Sequence, residues 1–398
     1  MNQRVLVLNC GSSSIKFAII DAANGEAPLQ GIAENLAASH SQVRYTDGQN
    51  KHTISLEEKA DHKHALEAIG RILMQFTELR SSLVAVGHRV VHGGEKFTHS
   101  CLIDDRVKQA IGDMAQMAPL HNPAHVAGIE SAQAAFAQLP QVAVFDTAFF
   151  QTIPQHAYLY ALPYNLYEQH GIRKYGFHGS SHYFVSRQAA KLLNKDIEHC
   201  NLITAHLGNG CSIAAIKQGK AVDTSMGFTP LEGLVMGTRC GDIDPSITTF
   251  LMEQLGYSAA QVNALMNKQS GLQGISQISN DCRTLESEQE KGNERAKLAL
   301  DMFVYRLVKY IGSYLAVVGP LDALIFTGGI GENSSYIRQQ TIAQLAHLGL
   351  HIDDKANKDM RFGRSGLISN EDSKSIFAIA TNEEWVIAQD TIKYAFNA

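Results

Sequence analysis

The chain opens with an apolar run, Val5 to Leu8, a small polar turn from Asn9 to Ser14, and a second apolar-rich run, Ile15 to Ile20. Two such runs around a Gly/Ser turn predict a β-hairpin, and the turn is rich in groups that bind anions. The pattern returns at Asn201–Ala205, with His206-Leu207-Gly208-Asn209-Gly210 as the turn and Ser212–Ile216 as the second strand. Ser14-Ile15 and Ser212-Ile213 are placed as equivalents, so the recurrence predicts a duplicated domain. A third glycine-rich turn, Gly328 to Asn333, follows the apolar run Leu324–Phe326 and precedes a helical pattern over 334–348. Strand, glycine turn and helix together bring backbone N–H groups and a helix N-terminus to a ligand.

Helical spacing is clearest in two places. Leu66, Ile69, Leu73 and Phe76 form one apolar face over 62–79. Leu298, Met302, Leu307, Ile311 and Leu315 mark a buried helix over 295–318, with further apolar residues on its other faces. Residues 21–50 are polar and weakly periodic, as at a solvent-exposed sheet edge with loops, and 286–297 reads as a solvated loop and helix start. Strands alternate with helices elsewhere, which predicts an α/β protein.

At roughly 100–200 residues per domain, 398 residues predict two or three domains. Hydrophobic residues are 45% and charged residues 18%, enough for substantial cores and against disorder as the main state. The net charge of −5, with no dense Lys/Arg run, argues against a dedicated nucleic-acid binder. Six dispersed cysteines without CxxC spacing read as reduced thiols and predict a cytoplasmic location. Val5–Leu8 is too short for a signal-peptide core, and no apolar run is long enough to span a membrane. Neither the dinucleotide fingerprint nor the P-loop pattern occurs.

Histidines cluster at His88/His92, His121/His125 and His178/His182, each pair in H-x-x-x-H spacing. The glutamate of H-E-x-x-H is absent, and Pro123 and flanking glycines disfavour a continuous helix, so zinc hydrolysis is a poor reading. The alternatives are structural histidines and histidines that stabilise charge in a cleft; His178 stands out because small residues surround it. Arg89 ends an apolar run and Arg239 lies in a glycine-flanked turn, surroundings suited to bidentate capture of a planar anion. Asp146 follows the buried-looking run Val142–Phe145, placed for magnesium or general-base work, or else as a helix cap or an arginine's partner. Three anion-cradling turns, two arginines and a strand-end carboxylate point to phosphoryl transfer, with the acceptor left open.

Several longer motifs then stand in fixed order: Leu6 to Ser14, His88 to Gly94, Pro119 to Pro123, Phe145 to Phe149, Gly176 to His182, Asp223 to Gly227, Phe326 to Asn333 and Thr381 to Glu384. Together they resemble the acetate kinase (acetokinase) family over essentially the whole chain. The resemblance implies the acetate and sugar kinase, Hsp70 and actin superfamily fold: two duplicated actin-like, ribonuclease H-like α/β domains flanking an active-site cleft. It implies residues 1–148 plus 384–398 as one domain and 149–383 as the other, and a homodimer formed largely through the second. It further implies ATP and acetate as substrates and Mg²⁺ as cofactor, with Mn²⁺ as a possible substitute. Asn9 and Glu383 would hold the metal. Ser12, Ser14 and Lys16, with His206, Leu207, Gly208, Asn209 and Gly210, would line the phosphates. Asp281, Cys282 and Arg283, with Gly329, Ile330, Gly331, Glu332 and Asn333, would form the adenosine side. Arg89 would bind the acetate carboxylate, and Val91, Leu120, Phe177 and Pro230 its methyl group. His178 and Arg239 would stabilise the transferring phosphoryl group, and Asp146 would be the catalytic acidic residue. Propionate kinase of the same family is the nearest alternative; a nucleotide-gated binding protein of the Hsp70 or actin kind is a more distant one. Cys10 and Cys211, in phosphate-side turns, are candidates for thiol sensitivity.

Overall fold

A computed structural model describes residues 3–11, 13–117 and 122–396. The chain divides into two units, Met1–Ala148 with Asn382–Ala398, and Phe149–Thr381. Among the described residues, no helix is long and apolar enough to cross a membrane.

The first unit is built on strands β1 (Arg4–Cys10), β2 (Ser14–Asp21), β3 (Leu29–Glu34), β4 (Gln42–Thr46), β5 (Lys51–Ser55), β6 (Leu83–Val90), β7 (Cys101–Leu102) and β8 (Gln141–Phe145). Their order in the sheet is β5-β4-β3-β2-β1-β6-β8-β7. β1, β6 and β8 are parallel, and β1 through β5 form an antiparallel meander. β1 is apolar at consecutive positions because both of its faces are covered. Leu6 and Leu8 meet Ala65, Leu66, Ile69 and Leu73 of helix His62–Gln75. Val5 and Val7, pointing the other way, meet Ile387 and Ala388 of helix Glu383–Phe396. The 21–50 segment does supply a sheet edge, yet Leu29, Ala33 and Val43 within it are fully buried.

The C-terminal helix reaches this sheet because Gly87 of β6 lets it. A Cβ on Gly87 would lie 2.3 Å from Thr391 Oγ1 and 2.9 Å from Ile387 Cγ2. At the helix start, the Trp385 N–H donates to Asn382 Oδ1 (3.0 Å), and the Trp385 indole N–H donates to the Ala22 carbonyl (3.0 Å). These contacts fix Glu383, the helix's first residue, above the ends of β1 and β6.

The second unit carries β9 (Asn201–Leu207), β10 (Cys211–Lys217), β11 (Lys220–Thr224), β12 (Ala323–Thr327), β13 (Gly366–Leu367) and β14 (Ser375–Ala378), in the order β11-β10-β9-β12-β14-β13. β11-β10-β9 is antiparallel and β9-β12-β14 parallel, the arrangement of β3-β2-β1-β6-β8 in the first unit. One face packs on Val185, Ala189 and Ala190 of helix Gly179–Leu192. Helix Glu294–Val318 packs against β9, β10 and β11.

Three expectations are corrected. In helix Glu294–Val318 the buried face runs through Ala296, Ala299, Phe303, Leu307, Ile311 and Tyr314, while Leu298 and Met302 are exposed. A helix apolar on several sides hides its true inner stripe from a periodicity reading. The strands also extend further than the apolar runs suggest, so His206 and Leu207 lie on β9 rather than in its turn. The hairpins close at Cys10/Ile15 and Leu207/Cys211. Ser212, opposite His206, therefore corresponds to Lys16, opposite Asn9, and not to Ser14; the second turn is one residue shorter. Third, Gly328 to Asn333 is a short helix rather than a turn.

Candidate active site

In the first unit Arg89 and Asp146 come together although they are far apart in sequence. The parallel pairing of β6 with β8 sets Arg89 beside Val144, and Asp146 follows the end of β8. Arg89 grips the Asp146 carboxylate with both sides of its fork: Nη2–H to Oδ2 at 2.5 Å and Nε–H to Oδ1 at 3.2 Å. Nη1 also donates to Asn9 Oδ1 at 3.4 Å. Asp146 is 1% exposed and Arg89 20%. Burial opposes the charge on Arg89, but Asp146 and Glu383 outweigh it and push the pKa up. Burial pushes the Glu383 carboxyl up to about 7; Asp146 and Glu384 add to this, and Arg89 opposes it.

These groups border a cavity of about 640 Å³ lined by Asn9, Lys16, Arg44, Arg89, Glu383 and Glu384 among others. Ser14 begins β2, and its carbonyl accepts the Gly11 N–H at 2.7 Å, closing the turn. His62 pins the same turn, its Nε2–H donating to the Gly11 carbonyl at 2.6 Å, a role that sequence spacing does not reveal. Val91 is buried. Ser12 and Leu120 lie outside the described residues.

In the second unit a different set gathers around the β9–β10 turn. His178 caps helix Gly179–Leu192 with a left-handed backbone, φ 60°. Its ring stacks on His206 at 4.3 Å between centroids. A Cβ on Gly210 would lie 3.4 Å from Arg239 Nη1 and 3.5 Å from His178 Nε2, so both side chains border one turn. Arg239 Nη1–H donates to the Pro230 carbonyl at 3.0 Å and approaches Met236 Sδ at 3.9 Å. No carboxylate pairs with Arg239 among the described residues, and burial lowers its pKa. Asn209 is fastened at both ends: its carbonyl accepts the Gly237 N–H (2.9 Å) and its Oδ1 accepts from Asn280 (2.9 Å). Phe177 is buried, Pro230 half-buried, and Leu207 closes β9 in the core.

The expected adenosine-side residues adjoin the same turn: Asn280, next to Asp281, bonds Asn209, and a Cβ on Gly328 would lie 2.8 Å from the Leu207 carbonyl oxygen. Asp281 caps helix Cys282–Glu290 and pairs with Arg283 at 2.7 Å, while Cys282 is buried. Gly329, Ile330, Gly331, Glu332 and Asn333 form most of the short helix after β12. The first N–H of this helix, that of Gly328, is already taken. The Glu332 carboxylate takes the Gly328 N–H and the Thr381 N–H on one oxygen, each at 3.0 Å. The other end of the helix is held by Arg338, fully buried, whose guanidinium donates to the carbonyls of Gly331 and Glu332.

Cys10 and Cys211 are buried, and burial pushes both thiols up to about 12, which makes them poor nucleophiles. Their expected thiol sensitivity finds no support in this geometry. Residues missed by sequence reasoning include Thr204, Ser181 and Ser212, which hold the histidines of this site. Ser181 Oγ lies 2.7 Å from His206 Nδ1. The signal was available: Thr204, His206 and Ser212 alternate onto one face of a hairpin.

Comparison with known proteins matches the sequence pattern of the acetokinase family over residues 4–389. An acetate kinase of Shewanella amazonensis is 56% identical over 393 residues, 98% of each chain. A propionate kinase structure from Francisella tularensis superposes with a TM-score of 0.94 at 47% identity, covering 98% of this chain and 99% of that one. The acetate kinase structure of Porphyromonas gingivalis gives 0.93 at 44% identity, with the same coverage. The paired sheets are thus the duplicated actin-like ATPase fold, and the chain belongs to the acetokinase family.

Proposed function

We propose that the chain transfers the γ-phosphoryl group of ATP directly and in line to an oxygen of acetate, giving acetyl phosphate and ADP, and that it runs this reaction in both directions. The observation that carries this reading is Arg239: a half-buried guanidinium with no carboxylate partner among the described residues, bordering one glycine turn together with His178. A partly desolvated cation without a counter-charge is improved by an arriving anion. The family of the chain makes that anion a phosphoryl group.

The acetate oxygen is already anionic near neutral pH, so no strong base is needed. The obstacle is repulsion between carboxylate and phosphate, which fixed positive charge relieves. In this reading Arg239 and His178 act on the transferring group, and Arg89 holds the acetate carboxylate. Asp146, the acidic residue of the site, holds Arg89 in place by its two hydrogen bonds. Ser12, Ser14, Lys16 and the 206–210 segment serve the phosphates, while 281–283 and 329–333 serve adenosine. Val91, Leu120, Phe177 and Pro230 enclose the methyl group.

Asn9 and Glu383 suit Mg²⁺, or Mn²⁺ in its place. Their donors are hard oxygens, and Glu383 shares its surroundings with the carboxylates of Asp146 and Glu384. No group of three His, Cys, Asp or Glu side chains able to hold an ion occurs among the described residues. Magnesium usually takes only one or two protein carboxylates beside phosphates and water. When bound, Mg²⁺ supplies neutralisation of phosphate charge.

The proposed homodimer is supported by apolar side chains left exposed in the second unit, among them Ile247, Phe250, Leu255, Leu298 and Tyr305. Helix Ser246–Glu253 buries none of its residues. A cytoplasmic location is supported by six cysteines that are all unpaired.

Hydroxylamine trapping of acyl phosphate tests the function, with acetate, propionate, butyrate or no acid, each with and without Mg²⁺. Metal-dependent product with acetate exceeding propionate is expected. Propionate exceeding acetate would favour the second reading, to which the Francisella propionate kinase likeness points. No acyl phosphate from a folded, ATP-binding protein would overturn both.

A further inference from the structure

His178 is held in an unusual way. Its backbone is left-handed, a conformation that costs a non-glycine residue about 1 kcal/mol or more. Although it sits at a helix N-cap, its side chain makes no capping bond. The ring turns instead to Ser212 on β10, with His178 Nδ1 2.9 Å from Ser212 Oγ. The same hydroxyl lies 2.7 Å from His182 Nε2, and His182 Nδ1 lies 2.6 Å from Thr204 Oγ1. Ser212, His182 and Thr204 are all fully buried. Four side chains from one helix and two strands thus form a single line: Thr204, His182, Ser212, His178.

A hydroxyl has one proton to give and can accept in return. Ser212 therefore donates to one histidine and accepts from the other. His182 is fully buried, and burial holds it neutral, with His206 adding to the effect. It has one N–H and one lone pair, so the line has a consistent direction along its whole length. In either direction Nδ1 of His178 faces Ser212, and Nε2 lies on the side of Gly210 and Arg239.

We propose that Ser212 is a positioning residue for the phosphoryl-transfer site: backed by His182 and Thr204, it locks the His178 ring so that Nε2 addresses the transferring phosphoryl group. The proposal rests on the reading above, in which His178 acts on that group. The strained backbone of His178 is then the condition for reaching both Ser212 and the turn. Loss of the Ser212 hydroxyl removes the hydrogen bond that orients Nδ1 within the ring's stack on His206, without removing any group proposed to bind substrate.

The test compares Ser212→Ala, Ser212→Thr and His178→Gln in the full-length chain. Ser212→Ala is expected to lower kcat by roughly 10- to 100-fold, the scale of a misplaced catalytic group, with KM for ATP and for acetate within about twofold of wild type. Ser212→Thr, which keeps the hydroxyl, is expected to recover most of kcat. A second readout works whether or not the variants are active: ¹⁵N spectra of histidine-labelled protein, with His178→Gln assigning the His178 signals. One fixed tautomer in the wild type and averaged ring-nitrogen shifts in Ser212→Ala support the proposal. An unaltered His178 spectrum in Ser212→Ala overturns it, as does wild-type kcat in that variant beside a large loss in His178→Gln. Wild-type kcat in His178→Gln would instead remove the reading on which the catalytic part rests, and the spectra alone would then decide whether Ser212 holds the ring.

Discussion

Replacing Gly87 by alanine should loosen the C-terminal helix and disturb the site from behind. The new methyl would sit 2.3 Å from Thr391 Oγ1 and 2.9 Å from Ile387 Cγ2. Ordinary non-bonded contact begins near 3.5 Å, so helix and strand must part by about 1 Å. Thr391 cannot simply rotate away, because its hydroxyl donates to the Ile387 carbonyl at 2.6 Å. Overpacking of this kind costs about 1–3 kcal/mol, and loss of the hydroxyl bond adds about 1 kcal/mol. The helix begins at Glu383, so the same displacement reaches the proposed metal ligand. A misplacement near 1 Å can cost about 100-fold in rate. The single tryptophan, Trp385, rides on this helix and reports its docking by fluorescence. Urea unfolding followed at Trp385 should show a loss of about 2–4 kcal/mol, together with a fall of about 10- to 100-fold in kcat/KM for ATP with Mg²⁺. Thr391→Ala in the same chain should restore part of both. If Gly87→Ala unfolds within 0.3 kcal/mol of wild type, as a rough limit on neutral change, and turns over normally, the close approach of helix and strand is not what positions Glu383.

Four further outcomes follow from the same geometry. Arg89→Ala should raise KM for acetate and also destabilise the first unit by about 3 kcal/mol, since it strands the buried Asp146 carboxylate; adding Asp146→Asn should recover most of that stability in urea melts without restoring KM. Arg239→Ala should lower kcat about 10²- to 10³-fold yet leave stability within about 1 kcal/mol, because no carboxylate among the described residues depends on it. Val91→Ala should raise the propionate-to-acetate ratio of kcat/KM by about tenfold or more, the worth of a methylene in an apolar pocket; an unchanged ratio removes Val91 from the acyl pocket. His88, 2% exposed and donating to Gln141 Oε1 at 2.6 Å, has its pKa lowered by burial from 6.5 to about 4. Its neutral form is the native one, so it costs nothing above pH 6.5. As pH falls from 6.5 towards 4 the unfolded chain takes the proton first, and stability drops by up to about 3 kcal/mol. His88→Gln should flatten that part of the pH–stability curve, and an unchanged slope would refute the assignment.

What the sequence discloses and what it hides divide along a physical line. Strands β1, β9 and β12 and helix His62–Gln75 are legible because each buries faces with a period the residues must obey. Asp146 is legible as a strand-end carboxylate, but its partner is not. The pairing with Arg89 depends on the β6–β8 register, which local spacing does not encode. The Gly328–Asn333 segment reads as a ligand turn because glycines permit one. The segment is instead a short helix, its first N–H taken by the Glu332 carboxylate, which also reaches across to Thr381. Ser212 is hidden for a related reason: a small polar residue in a strand says nothing by itself until two histidines from a helix are laid against it.

The two arginines singled out by similar surroundings turn out to be opposite electrostatic objects. Arg89 is a neutralised cation, with Asp146 held bidentately and Glu383 near enough to raise its pKa further. A carboxylate substrate meeting Arg89 competes with Asp146, so binding there gains orientation more than charge. Arg239 carries its charge unanswered among the described residues, and burial works against that charge. An anion bound there meets a half-buried charge that it need not share with a carboxylate, and gains most where negative charge is most concentrated. This ordering gives the weak, orienting arginine to the acetate carboxylate, whose negative charge falls as its oxygen bonds to phosphorus. It assigns the strong, unpaired arginine to the phosphoryl oxygens, where charge is redistributed as the bond to ADP breaks. Catalysis by differential binding favours that order, because exchanging the two roles would spend the larger electrostatic term on the carboxylate of the ground state.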